Sequence, residues 1–153
     1  MAIDEKLSEL GVMLPEAAMP VGSYVPVKVT GNLAFVSGML PTEGGRVKQT
    51  GRVGESVTTE EAYGLARICA INGLAALKGA IGTLDRVKGI AMVQGFVQGA
   101  PDYAEVPKVI NGASDLLVAL FGNAGRHARF AVGVASLPMN APVEVAFVVE
   151  LMP

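Results

Sequence analysis

Two segments near the C-terminus constrain the fold most, because large and small side chains alternate along nearly uncharged stretches. This period of two predicts β-strands over Arg129 to Ser136 and Val143 to Leu151, joined by a turn at 138–141. Arg129 and Glu144 stand nearly alone as charges in these strands. Burying a charge is costly unless it is paired or meets a ligand. The pattern favours equally a structural ion pair and a carboxylate-binding arginine.

The scarcity of charge extends to the whole chain. Of 153 residues, 51% are hydrophobic, a further 19 are glycine and only 17% are charged, and the net charge is −2. Such a chain can bury a sizeable core, which excludes intrinsic disorder, and its length indicates one domain. A soluble monomer of this size should carry more charge. We therefore expect an oligomer that hides apolar faces.

Several classes of protein are disfavoured by what the chain lacks. Its longest uncharged runs, 29–42 and 130–143, have 14 residues each, against about 20 for a spanning helix. The acidic N-terminus has no signal-peptide core, and a single cysteine fits a cytoplasmic location. The acidic composition argues against a nucleic-acid partner. With one histidine and no CxxC, HExxH or Walker A motif, we expect no metal, nucleotide or other cofactor.

A hairpin and two helices are predicted upstream of the final strands. Strands over Tyr24 to Thr30 and Leu33 to Ser37 flank a Gly31-Asn32 turn, and a short strand at Arg46 to Gln49 follows. Thr58 and, three residues later, Glu61 form a capping-box pattern that starts a helix ending near residues 79–82.

In that helix, the small residues Gly64 and Gly73 suit close packing on a sheet. A further strand is predicted over Val87 to Val97. Asp102 is expected to cap a second helix, which is interrupted at Pro107 and ends at a C-terminal glycine, residue 122.

This order of elements predicts an α+β fold in which two helices pack on a mixed sheet. The domain is expected to span residues 20–153. An N-terminal extension, residues 1–19, contains a short helix over Asp4 to Leu10 and is expected to pack over the sheet edge.

Two residues with reactive side chains have ordinary interpretations. Cys69, in the middle of the first long helix among apolar residues, is interpreted as a small buried hydrophobe rather than a nucleophile. His127 lies between Arg126 and Arg129, where it could bind an anion, but a lone surface histidine is the favoured interpretation.

Several motifs together resemble the RidA/YjgF family of reactive-intermediate deaminases. They are VSGMLP at 36–41 after the Gly-Asn hairpin, HARFAVGVASLPMNAPVEVAFVVEL at 127–151, Tyr24 and Asn111. The family signature is an arginine, a strand, Leu-Pro and a glutamate seven residues beyond that leucine, which Arg129, Leu137-Pro138 and Glu144 match. The likeness runs from about residue 22 to residue 151, and NGASDLLVALFGNAGRHAR is similar to a slightly longer subgroup.

The resemblance implies a chorismate-mutase-like fold of the bacillus type, assembled as a homotrimer with ligand clefts between subunits. The implied activity is cofactor-free hydrolysis of 2-imino or 2-enamino acids to 2-keto acids and ammonia. Two alternatives stay open: a trimeric protein that binds small carboxylates without turnover, and an RNA-cleaving enzyme or translation inhibitor, as older family labels have it. The chain departs from the family pattern at Phe130 and Ala146, where serine and a second acidic residue are usual.

The resemblance also implies roles for individual residues. Arg129 would bind the substrate carboxylate through its planar fork. Glu144 would orient water, and Tyr24 would relay protons beside it. The Ala131 backbone would hydrogen-bond the imine nitrogen or the carboxylate. The other substrate-binding residues implied are Ser37 and Gly38 in the cleft wall and Asn111 beside the arginine.

A hairpin argument supports a cleft between subunits. If the last two strands pair around the 138–141 turn, Arg129 pairs with Glu150 and Glu144 faces Ala135, about 20 Å away along the ladder. Arg129 and Glu144 of one chain could then not share a small ligand. They would meet only across a subunit boundary.

Overall fold

The computed structural model describes residues 1–153. Its strands are β1 (Val27–Thr30), β2 (Leu33–Met39), β3 (Thr42–Glu43), β4 (Arg46–Val47), β5 (Val87–Gln98), β6 (Ala128–Val134) and β7 (Val143–Leu151). Its helices are α1 (Ile3–Glu9), α2 (Thr59–Ile81) and α3 (Val106–Phe121), with short 3₁₀ turns at 84–86, 122–125 and 138–140.

Five strands form one sheet in the order β1-β2-β7-β5-β6, and β3 and β4 form a separate ribbon. Within the sheet, β5 and β6 are parallel and the other pairs are antiparallel. On one face, α2 packs against β2 and β7 while α3 packs against β5 and β6. The predicted α+β fold, a mixed sheet covered by two helices, is confirmed.

The first hairpin forms where the Gly-Asn pair predicts it. Thr30 pairs with Leu33 across a turn in which Gly31 has φ 57°, a left-handed conformation that glycine adopts without strain. The strand β1 begins at Val27 rather than at Tyr24. Pro26 precedes it and has no N–H to donate to a ladder.

Helix α2 begins and ends at the predicted signals. The Glu61 N–H donates to Thr58 Oγ1 (3.1 Å) and the Thr58 N–H donates to Glu61 Oε1 (2.9 Å), so the capping box is confirmed. The helix stops at Gly82, which has φ 88°. Gly73 packs on the sheet, since a Cβ there would lie 2.5 Å from Phe147 Cε1. The same prediction for Gly64 is wrong, because a Cβ there would meet nothing within 4 Å.

Helix α3 begins three residues later than predicted. Its N-cap is Glu105, which makes no side-chain cap, and Asp102 does not cap it. Pro107 lies in the first turn and does not interrupt the helix, because the first helical N–H groups have no intrahelical partner to lose. Gly112 lets α3 approach α2 so closely that a Cβ would overlap the Tyr63 carbonyl oxygen.

The predicted pairing of the last two strands is wrong, because β5 lies between β6 and β7. Their connection passes over the end of β5, where the buried Gln98 anchors it. Gln98 Oε1 accepts from the Leu137 N–H (2.7 Å), and its Nε2 donates to Asn140 Oδ1 (2.7 Å) and to the Gly51 carbonyl (3.0 Å). A polar side chain with these partners holds the chain in a crossover instead of a hairpin.

The N-terminal extension packs on the helix layer, not over the sheet edge as predicted. Helix α1 lies against α3 and the 3₁₀ turn at 84–86, with Leu7 buried in the core. The Ile3 N–H donates to Asp85 Oδ1 (2.8 Å), and Lys78 Nζ lies 3.1 Å from Asp4 Oδ1. These contacts place the extension over the C-terminal end of α2.

The helix-covered face of the sheet is buried and the opposite face is open. Phe35, Phe130 and Val132 on this open face keep 42%, 38% and 41% of their surface exposed. Phe96 and Phe130 stack edge to face there, with ring centroids 5.7 Å apart. An uncovered apolar face of this kind is unusual in a monomer.

Helix α2 is long and apolar enough to span a membrane by length and composition alone. More than half of it, 56% of the tested window, is buried inside the fold. The core helix of a globular domain passes the same test.

Candidate functional site

Arg129 lies on β6, an edge strand, and its side chain extends toward α3. In the register it pairs with Val93, which is fully buried on the helix-covered face. Its Nη1 donates to Asn111 Oδ1 (2.7 Å) and to Ser114 Oγ (3.2 Å). No carboxylate lies within ion-pair distance of the guanidinium. A half-buried arginine held only by neutral groups keeps its charge available to an anion.

Ser114 links Arg129 to the single histidine. His127 Nε2 lies 2.9 Å from Ser114 Oγ, and His127 Nδ1 lies 2.7 Å from the Gly125 carbonyl oxygen. His127 is therefore half-buried and bonded on both nitrogens, so its interpretation as a lone surface histidine is wrong. An open groove beside these residues is also lined by Arg126.

Glu144 lies on the other face of the sheet. It pairs with Phe96, three residues along β5 from the partner of Arg129, so the alternation of side chains places it on the open face. Burial raises the pKa of the Glu144 carboxyl. The carboxylate fits against Gly38, where any Cβ would overlap Glu144 Oε2. A larger residue at position 38 would force the Glu144 carboxylate to move from this position.

Tyr24 and Ser37 lie near Gly38 along the chain and the sheet. Ser37 Oγ donates to the Val25 carbonyl oxygen (2.7 Å), and the Ser37 N–H donates to the Pro26 carbonyl oxygen (2.9 Å). These bonds tie the segment that carries Tyr24 to β2. The Tyr24 side chain is 56% exposed.

Ala131 lies two residues beyond Arg129 on β6 and pairs with Gly95. Because β6 is an edge strand, alternate backbone N–H and C=O groups along it have no strand partner on the outer side. The edge offers hydrogen-bonding groups next to the arginine.

The predicted site residues thus form two groups. We call Arg129, Asn111 and Ala131 the arginine group, and Glu144, Gly38, Ser37 and Tyr24 the glutamate group.

Arg129 and Glu144 are separated by two strand spacings and three residues along β5, which is about 14 Å between Cα atoms. They also face opposite sides of the sheet. The predicted hairpin of β6 and β7 does not form. Arg129 and Glu144 of one chain nevertheless lie too far apart to hold one small ligand, as the sequence argument expected.

Ser114 is the residue that the sequence reasoning missed. It follows Asn111 by three positions on α3, the spacing that places two side chains on the same helix face. Two uncharged polar residues at this spacing in a mostly apolar helix are a usable signal. The sequence does not show that this face meets β6.

Other reactive groups are not arranged for chemistry. Cys69 is fully buried, as its sequence interpretation predicts, and burial raises the pKa of its thiol well above the ordinary value. No group of three or more histidine, cysteine, aspartate or glutamate side chains lies close enough to hold a metal ion.

A second cavity lies between residues 13–18, α2 and the loop after β2. Its walls are mostly apolar, and Gly38 is the one predicted site residue that lines it.

Comparison with known families identifies the family of the chain. Residues 4–151 match the family described as "YjgF/chorismate mutase-like, putative endoribonuclease". The chain belongs to this family. The predicted resemblance is therefore confirmed.

Three relatives are similar over nearly their whole length. Protein TCP17 of Trypanosoma cruzi is 44% identical over 146 residues, which cover 95% of this chain and 91% of TCP17. The crystal structure of Atu1372 from Agrobacterium tumefaciens, a protein of unknown function, is 46% identical with a TM-score of 0.91, covering 98% of this chain and 92% of that one. A Shewanella oneidensis MR-1 structure named as an endoribonuclease is 34% identical with a TM-score of 0.95, and the match covers 99% of this chain and 100% of that one.

Proposed function

We propose that this YjgF-family chain hydrolyses 2-imino and 2-enamino acids to 2-keto acids and ammonia, in clefts between the subunits of a homotrimer. In the imino form, water adds to the carbon of the C=N bond and gives a tetrahedral amino alcohol. That intermediate then expels ammonia as its C–O bond becomes a carbonyl. The atoms balance with water as the only co-substrate, so the reaction requires no cofactor.

The observation that carries the proposal is the state of Arg129. Its guanidinium is half-buried, is positioned by neutral oxygens and has no carboxylate partner within the chain. A partly buried arginine in this state is stabilised when it binds an anion, and its planar fork matches a carboxylate. A bound carboxylate would fix the adjacent imine carbon, and positioning of the reacting carbon supplies much of the rate in reactions of this type.

Glu144 is proposed as the proton-transfer group. Because burial raises its pKa, the carboxyl holds a proton to a higher pH than an exposed glutamate does. In its ionised form the carboxylate takes the proton of the attacking water and passes it to the imine nitrogen. It then carries the hydroxyl proton of the amino alcohol to the same nitrogen, which leaves as ammonia. Tyr24, which is exposed on the segment tied to β2, is proposed to relay the proton.

Trimer formation is proposed to bring the two groups together. Within one chain they face opposite sides of the sheet, about 14 Å apart between the Arg129 and Glu144 Cα atoms. The open face carries exposed aromatic and β-branched side chains that a neighbouring subunit would cover. An arginine group from one subunit and a glutamate group from the next would complete each cleft.

The activity is tested with imines generated by an amino-acid oxidase acting on leucine or methionine. We expect the purified protein to accelerate loss of the imine and Arg129→Ala to abolish that acceleration. Arg67→Ala is the matched control, because it removes a guanidinium from α2 and should leave the rate unchanged.

Two other outcomes identify the alternatives. Saturable binding of 2-ketobutyrate without acceleration of any imine would support a carboxylate-binding protein. RNA cleavage that survives removal of contaminating nucleases and disappears at high salt would support the endoribonuclease name.

Assembly is tested separately by light scattering coupled to size exclusion. Three chains per particle are expected. A stable monomer that retains full activity would rule out the shared cleft.

A further inference from the structure

We propose that His127, acting through Ser114, is a positioning residue that selects which edge of the Arg129 guanidinium meets the ligand carboxylate. The inference rests on the proposed function, because it assumes that a carboxylate binds Arg129. It assigns roles to two residues outside the family signature that identified the site.

The hydrogen-bond directions follow from the chemistry of the partners. The Gly125 carbonyl oxygen can only accept, so His127 Nδ1, 2.7 Å away, carries the proton in this contact. In the neutral imidazole, Nε2 is then an acceptor. Ser114, whose Oγ lies 2.9 Å from Nε2, therefore donates its hydroxyl proton to the imidazole. The lone pairs of Ser114 Oγ remain for Arg129.

In this orientation both hydrogens of Arg129 Nη1 are used in hydrogen bonds within the chain. Nη1 carries two hydrogens, and it donates to Asn111 Oδ1 at 2.7 Å and to Ser114 Oγ at 3.2 Å. Neither Nη2 nor Nε of Arg129 donates to any group within the chain. The Nε–Nη2 edge therefore presents two parallel N–H bonds, which suit a bidentate carboxylate.

The groove offers Arg129 no competing anion. Asp115 is the only carboxylate that lines it, and Asp115 Oδ2 accepts a hydrogen bond from the Tyr63 hydroxyl at 2.7 Å. Asp115 makes no ion pair with Arg129. A neutral serine in contact with the guanidinium orients it without neutralising it, which an acidic residue at position 114 would not do.

Without the Ser114 contact, one Nη1 hydrogen is free and Asn111 alone holds the guanidinium, which can then turn about its last torsions. The ligand then loses a prearranged fork and has to order it on binding. We expect a loss of about tenfold in affinity, the usual effect of one hydrogen bond to a charged group.

The experiment measures 2-ketobutyrate binding by calorimetry for the full-length chain. Ser114→Ala and His127→Leu should each weaken binding about tenfold. Ser114→Thr keeps the hydroxyl, and His127→Gln keeps an amide oxygen near the position of Nε2, so both should bind nearly as well as the parent. The double variant Ser114→Ala/His127→Leu should lose no more than Ser114→Ala alone, because His127 acts only through the serine.

Additive losses in the double variant, or a loss in Ser114→Thr equal to that in Ser114→Ala, would overturn the positioning role. If Arg129→Ala abolishes binding while all variants at 114 and 127 bind like the parent, the inference fails and the proposed function survives. If Arg129→Ala binds as tightly as the parent, the proposed function itself fails. Should Ser114→Ala not fold, as judged by circular dichroism, the two variants at 127 carry the same comparison.

Discussion

Gly112→Ala is expected to destabilise the protein because it forces the two long helices apart. The new Cβ would overlap the Tyr63 carbonyl oxygen and lie 2.8 Å from the Tyr63 carbonyl carbon and 3.3 Å from Ala66 Cβ. The carbonyl belongs to the backbone of α2 and cannot rotate away, so α3 must move as a unit. The matched control is Gly64→Ala on α2, where a Cβ would meet nothing within 4 Å.

The magnitude follows from two opposing terms. Alanine in place of glycine inside a helix gains about 1 kcal/mol in helix propensity, and this gain applies to both variants. Overpacking a tight contact costs about 1–3 kcal/mol, and a rigid backbone partner argues for the upper end. The free energy of unfolding should therefore fall by about 2 kcal/mol for Gly112→Ala and rise by about 1 kcal/mol for Gly64→Ala.

Thermal unfolding followed by circular dichroism measures the difference. For a chain of this length, about 2–4 °C in Tm corresponds to 1 kcal/mol, so Gly112→Ala should melt about 4–8 °C lower and Gly64→Ala about 2–4 °C higher. The protein concentration is held constant, because association shifts Tm. A Gly112→Ala variant as stable as Gly64→Ala would refute the close-contact reasoning. Because Asn111 adjoins Gly112, only Gly112→Ala should also weaken 2-ketobutyrate binding.

Two further predictions concern single side chains. Thr58→Ala removes the capping box and should lower the free energy of unfolding by about 1 kcal/mol. Thr58→Ser retains the hydroxyl and should be as stable as the parent. Urea unfolding compares the two variants, and equal losses of stability would contradict the capping role. Glu144→Gln should stabilise the fold at neutral pH. Burial raises the pKa of the Glu144 carboxyl in the folded chain, so its ionised form is less favourable there than in the unfolded chain. Above the folded pKa the carboxyl is ionised and lowers the stability, and glutamine removes this cost. The gain should disappear as the pH falls below the ordinary value of 4.5, and a Tm difference that is independent of pH would contradict this origin.

Local patterns in the sequence predicted much of the secondary structure, because the interactions that form it join residues close together in the chain. The capping box joins Thr58 to Glu61 within one turn, and the Gly31 turn forces two adjacent strands into a hairpin. The predicted pairing of the last two strands failed because a distant residue fixes their connection. Gln98 on β5 binds the loop between β6 and β7. No residue near that loop in the sequence predicts this contact.

The candidate site divides in the same way. Arg129 and Glu144 were recognisable from the sequence as isolated charges in apolar strands and as parts of a family signature. The contact of Arg129 with Ser114 was not, because it depends on how α3 lies over β6.

The sequence by itself determined the elements, the family and the two charges around which a site would form. Local hydrogen bonds and side-chain alternation act between near neighbours, and the printed order of residues contains them. The tertiary structure alone decided that β5 separates β6 from β7 and that the two charges face opposite sides of the sheet. It also decided that Ser114 and His127 support the arginine. These outcomes depend on which distant surfaces pack together, and the best packing of the whole chain sets them.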